Sequence, residues 1–94
     1  MEFDWDAGNR GKNLRHGVHD REIEEALAEA HRVSLGRVRG GAEVRMIVLC
    51  RAQTSGKYLR VVYTVRQRRG RRVVRPISAV EMDRGEKRRY LRGR

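Results

Sequence analysis

The chain lacks most of the residues that usually announce a chemistry. A single cysteine, Cys50, excludes an intrachain disulfide and a cysteine-rich metal site. It sits in the apolar run MIVLC and is expected to pack in a core, in keeping with a reducing cytoplasm. No apolar run approaches the ~20 residues that cross a bilayer, so no membrane partner is expected. The acidic opening MEFDWD reads as neither a signal nor a transit peptide. His16, His19 and His31 have no zinc-like spacing. No glycine run makes a phosphate-cradling loop between a strand and a helix. Ser34, Ser55 and Ser78 lack a nucleophile-elbow context. No metal and no cofactor are therefore expected. Pro76 is the only proline. It stands in a strand-like run and predicts a sheet edge or a bulge, because proline has no N–H for a ladder.

Charge is what the chain has most of. The 94 residues hold 23 Lys and Arg against 12 Asp and Glu, a net +11. All but three of the bases are arginine. The balance is −4 over residues 1–30 and +15 over residues 31–94. A polarised basic body predicts a polyanion partner, nucleic acid first. Arginine suits that partner because its planar fork pairs with phosphate oxygens and stacks on bases. The length fits one domain over residues 1–94.

Periodicity orders the chain as β-α-α-β-β-β-β-α. Phe3 and Trp5 alternate in a short edge strand, and Asp6 is placed to cap a helix through about Arg15, stopped at Gly17. Asp20, as N-cap, precedes Ile23, Ala26, Leu27 and Ala30 at helical spacing. Strands follow at 32–38, 42–51, 57–66 and 72–79, joined by short turns and so antiparallel. QRRGRR (67–72) is a basic hairpin loop. Asp83 and Glu86 have the spacing of a capping box that opens a basic C-terminal helix. The fold class is α+β, with N-terminal helices on an antiparallel sheet of four to five strands. One sheet face is covered by the acidic helix, and the other carries Arg and Tyr.

The candidate chemistry follows from the basic residues. Acidic pairs for metal-dependent cleavage are scarce in the basic half. Metal-free RNA cleavage needs a base for the 2′-hydroxyl and cations for the charged phosphorane. His16, Lys12, Lys57 and Tyr63 are the acid–base candidates, set against plainer readings as a helix end, an edge guard and a core tyrosine. Arg is a stabiliser rather than a base. Arg60, Arg66 and Arg75 lie on neighbouring strands and form a phosphate-binding patch, Arg75 the strongest of them. Arg15, Arg68, Arg69 and Arg72 extend the nucleic-acid surface.

Four stretches, in order, resemble the BrnT-type toxins. These are FDWDAGNRGKNLRHGV (3–18), EIEEAL (22–27), GKYLRVVYTVR (56–66) and RPISAVEMDRGEKRRY (75–90). The resemblance implies a RelE-like fold and a cytoplasmic, metal-independent ribonuclease toxin acting on RNA. It also implies a cognate antitoxin, of ribbon-helix-helix type, in a toxin–antitoxin hetero-oligomer; for such a ribonuclease the chemistry of the residues themselves offers Lys12, His16, Lys57 and Arg75 as the catalytic candidates. The chain departs from the pattern in two places: the spacing from Asn13 to His16 is one residue shorter, and Val80 stands where Arg usually follows Ile-Ser-Ala. Three readings stay open: a ribonuclease toxin, a non-catalytic RNA- or DNA-binding module on the same fold, and a basic surface for an acidic partner protein.

Overall fold

A computed structural model describes residues 1–93. The four strands are β1 (Val33–Gly40), β2 (Glu43–Arg51), β3 (Tyr58–Arg68) and β4 (Arg71–Glu81). They form one antiparallel meander in the order β1-β2-β3-β4. Two α-helices, α1 (Asp20–Ala28) and α2 (Arg84–Arg92), flank the sheet. The α+β class and the four-stranded sheet agree with the sequence.

The alternation of β2 and β3 decides which side α1 covers. Val48 pairs with Val61 and Cys50 with Leu59, so these four share a face. Val18, Ile23, Ala26 and Leu27 close over them to form the core, with Ala79 from β4. Ile23 is wholly buried, and truncating such a side chain to Ala generally costs ~2–5 kcal/mol. Cys50 lies in this core, where burial pushes its thiol up to about 12. It is inert packing, as its setting predicts.

α2 meets the opposite face at one end. Tyr58 and Arg60 point that way; Tyr90 packs edge-on against Tyr58 at 5.7 Å, and Glu86 pairs with Arg60 at 3.2 Å. Asp83 and Glu86 form the expected capping box, with Glu86 N–H to Asp83 at 2.8 Å and Asp83 N–H to Glu86 at 3.0 Å. The Tyr90 hydroxyl donates to both Glu29 oxygens, at 2.9 and 2.8 Å. Glu29 also accepts the Arg51 backbone N–H, so one carboxylate joins α1, β2 and α2.

The N-terminal segment departs from expectation. No continuous helix runs from Asp6 to Arg15. Asp6 instead accepts the Gly8 N–H at 2.8 Å, and Asn9 accepts the Asp6 N–H at 2.8 Å, closing a tight turn. Gly11 at φ 70° then breaks the backbone, and a 3-10 turn follows over Lys12–His16. Asp20 is not the N-cap of α1. His19 holds that position, and the Asp20 carboxylate accepts the Gly11 N–H. Nor do residues 2–5 form a strand; one parallel bridge joins Phe3 to Val74.

Pro76 falls on the outer edge of β4, beside a bulge. Val74 turns its N–H and C=O away from β3, to Glu2 and Asp4, each at 2.8 Å. Two residues on, Pro76 faces the same way, and its carbonyl accepts from Asn9 at 2.9 Å. Its missing N–H therefore costs no ladder bond. The register shifts at once: Tyr63 faces Pro76 while Val62 faces Ser78, leaving Ile77 as the extra residue. Past the bulge the Ala79 N–H donates to Asn13 at 2.9 Å, so side chains of the N-terminal segment finish the β4 edge.

Candidate nucleic-acid interface

Arg45 on β2, Arg66 on β3 and Arg75 on β4 lie on the sheet face turned away from α1. They line a pocket of about 190 Å³ with Gly8, Asn9, Glu43 and Ile77. The β2–β3 ladder ends at Met46–Tyr63, whereas the β3–β4 ladder continues to Arg68–Arg71. The β3–β4 arm thus extends beyond that ladder and carries Arg66, Arg68, Arg69, Arg71 and Arg72. Glu43 is the one acid in the pocket wall. It lies 3.1 Å from Arg45 and 3.5 Å from Arg66, and hydrogen bonding from Arg45 lowers its pKa.

Arg75 forms the inner wall. Its guanidinium bonds Asp6 at 2.9 and 3.0 Å and Asp4 at 3.3 Å, and its side chain is 12% exposed. The Arg75 hydrogen bond is the largest influence holding the Asp6 carboxyl down, at about 2; the Gly8 N–H and the nearby Arg68 charge help. Asp6 in turn raises Arg75 above the usual arginine value. A Cβ at Gly8 would stand 2.9 Å from the Arg75 guanidinium, so a side chain there would make the end of Arg75 shift. Arg75, expected as the foremost phosphate contact, therefore arrives with two carboxylates already bound.

The remaining sequence candidates separate into groups. Lys12, Arg15 and His16 are exposed on the 3-10 turn beside β4. Lys57 is elsewhere, donating to the Gly17 carbonyl at 2.7 Å and to Glu22 at 3.1 Å. Burial pushes Glu22 up, but the His19 N–H, Ser55 and Lys57 outweigh it and bring the carboxyl to about 2. Arg60 is paired with Glu86 under α2. Arg68 lies 3.2 Å from Asp4, which also binds Arg75. Arg69 and Arg72 are exposed at the hairpin. Tyr63 packs against the core, on the face away from the pocket. Among the candidates, then, only Arg66 and Arg75 line the pocket. Arg45 is not among the sequence candidates, because the apolar stripe dominates β2; the alternating Glu43 and Arg45 on its other face are the signal for it.

Arg69 has φ 52° and Gly70 φ 76°. They form a two-residue hairpin turn of the kind that prefers Asn-Gly. An arginine there accepts backbone strain at the tip of the basic arm. Among the described residues no group of three or more His, Cys, Asp or Glu side chains is placed to hold a metal ion. No helix among them is long and apolar enough to cross a membrane.

A small basic α+β protein, with guanidinium groups converging on one sheet face, is the class that this geometry defines. The family model for the ribonuclease toxin BrnT of type II toxin–antitoxin systems matches residues 5–86. The chain belongs to that family. No curated protein matches it.

Proposed function

We propose that this protein is a metal-independent endoribonuclease toxin with a RelE-like fold. It acts on cytoplasmic RNA, and a cognate ribbon-helix-helix antitoxin neutralises it in a hetero-oligomer. The observation that carries the reading is the convergence of Arg45, Arg66 and Arg75, from three strands, on one pocket. Family membership supports the reaction class and an antitoxin partner.

In this reading a phosphodiester enters between Arg45 and Arg66, and Arg68, Arg69 and Arg72 hold the flanking backbone. The 2′-oxygen bonds to phosphorus, and the bond from phosphorus to the 5′-oxygen breaks. A base takes the 2′-hydroxyl proton, and an acid gives one to the departing oxygen. The guanidinium groups oppose the charge that grows on the phosphorane. Arg75, fixed by Asp4 and Asp6, lends its charge from the wall. His16 and Lys12 are the acid–base candidates with exposed side chains. Lys57, engaged by Glu22 and the Gly17 carbonyl, ranks behind them. The products carry a 2′,3′-cyclic phosphate and a 5′-hydroxyl; end-group analysis of cleaved RNA tests this, and 5′-phosphate ends would refute it.

One observation favours a second reading, a non-catalytic RNA-binding module. Val80, where the family resemblance has Arg, lies opposite Arg60 on the arginine-bearing face. Binding without cleavage, with cleavage gained on Val80→Arg, would establish that reading.

A further inference from the structure

The two edges of the sheet are finished differently. β4 is covered by residues 2–4, Asn9 and Asn13. β1, with eight residues, bulges between Ser34 and Gly36, where the Gly36 N–H donates to the Ser34 hydroxyl at 3.1 Å; among the described residues its backbone makes no other hydrogen bond outside its ladder with β2. Alternate N–H and C=O groups of such an edge face outward and are a template for another strand.

The side chains on β1 restrict what that strand can be. Arg37 and Arg39 stand opposite Met46 and Val44, on the α1 side of the sheet. Both border a shallow hollow of about 260 Å³, and Arg37 borders a second of about 290 Å³. Both are exposed, and neither guanidinium has an ion-pair or hydrogen-bond partner among the described residues. Val38, between them, points to the other face and is 55% exposed. Antiparallel pairing with a second copy centred on Val38 would set Arg37 against that copy's Arg39. Like charges directly opposite destabilise a sheet, so the edge resists its own copy. An RNA strand has no backbone N–H groups to meet the edge carbonyls. An acidic peptide strand satisfies both the backbone and the charge.

We propose that β1 is the docking edge for an extended acidic segment of the antitoxin partner, which adds to the sheet as a fifth strand. The residue beside Val38 is apolar, and its neighbours beside Arg37 and Arg39 are acidic, whichever way the strand runs. This contact does not depend on ribonuclease activity; a catalytically dead chain binds as well.

The test uses the isotopically labelled full chain and an acetylated hexapeptide of alternating Glu and Val, followed by NMR. The expected result is amide shifts centred on residues 33–40, with alternate β1 amides exchanging more slowly. Arg37→Glu with Arg39→Glu, both at exposed positions, should weaken binding at least ~10-fold while the spectrum elsewhere stays folded. Equal binding of a block peptide with three Glu followed by three Val would mean charge attraction alone and would overturn the proposal. So would shifts confined to the Arg45–Arg66 face, an absence of binding, or an RNA oligomer occupying β1 in the peptide's place.

Discussion

Arg66 and Arg75 share a pocket, but truncating each should have different consequences. Arg66 is 43% exposed on its side chain, and its nearest acid, Glu43 at 3.5 Å, is shared with Arg45. It is free to trade that partner for a phosphate. Each phosphate contact on a single strand adds ~0.7 to the log–log dependence of affinity on salt. Arg66→Ala should therefore lower the slope by about 0.7, which is a factor of about 2.6 in affinity over a fourfold change in salt. Arg75 already holds Asp4 and Asp6, and its side chain is 12% exposed. Arg75→Ala should change the slope less and stability more. Charge-assisted hydrogen bonds are generally worth ~1.5–3 kcal/mol, and one kcal/mol moves Tm by ~4–8 °C in a chain of this size. A drop of about 5–15 °C is expected, towards the lower end because Asp6 faces water. The assay is fluorescence anisotropy with a labelled RNA oligomer across a salt series, alongside thermal melts. If Arg75→Ala lowers the slope as much as Arg66→Ala and leaves Tm unchanged, the division of roles is wrong.

Other perturbations test separate parts of the structure. Tyr90→Phe removes the hydroxyl that bridges α2 to Glu29; it should cost about 2 kcal/mol in denaturant titration and leave RNA affinity unchanged. Arg69→Asn relieves the left-handed arginine at the hairpin tip; it should raise stability by about 0.5–1 kcal/mol and weaken RNA binding, whereas a lower Tm would refute the strain. Asp6 is held at about 2 against an ordinary 3.8. Because its folded pKa is depressed, its stabilisation is present above pH 3.8 and is lost as pH falls through about 2. Asp6→Asn should therefore lower stability at neutral pH and flatten the acid limb of the unfolding curve, and an unchanged limb would contradict the Arg75 clasp.

The parts of the fold legible in the sequence rest on short-range physics. The alternation of β2 and β3, the spacing Ile23–Ala26–Leu27 and the Asp83–Glu86 box are local patterns, and each takes its expected form. Pro76 was legible for the same reason, since a missing N–H restricts where it can stand. The N-terminal segment was not. Asp6 resembles a helix cap locally, but its carboxylate binds Arg75, 69 residues away. The same long-range pairing shifts Arg75 from an open phosphate contact to a clasped wall residue. Periodicity can put Arg66 and Arg75 on one sheet face. It cannot reveal that Asp4 and Asp6 meet one of them first.

Metal-free RNA cleavage is the activity on which the assignment of Arg45, Arg66 and Arg75 stands or falls. Purified protein would be mixed with end-labelled RNA in excess EDTA at low salt. The expected result is cleavage that persists under chelation and is lost in Arg66→Ala at unchanged Tm. RNA bound tightly but left intact, or cleavage that returns only when a divalent metal is added, would contradict it.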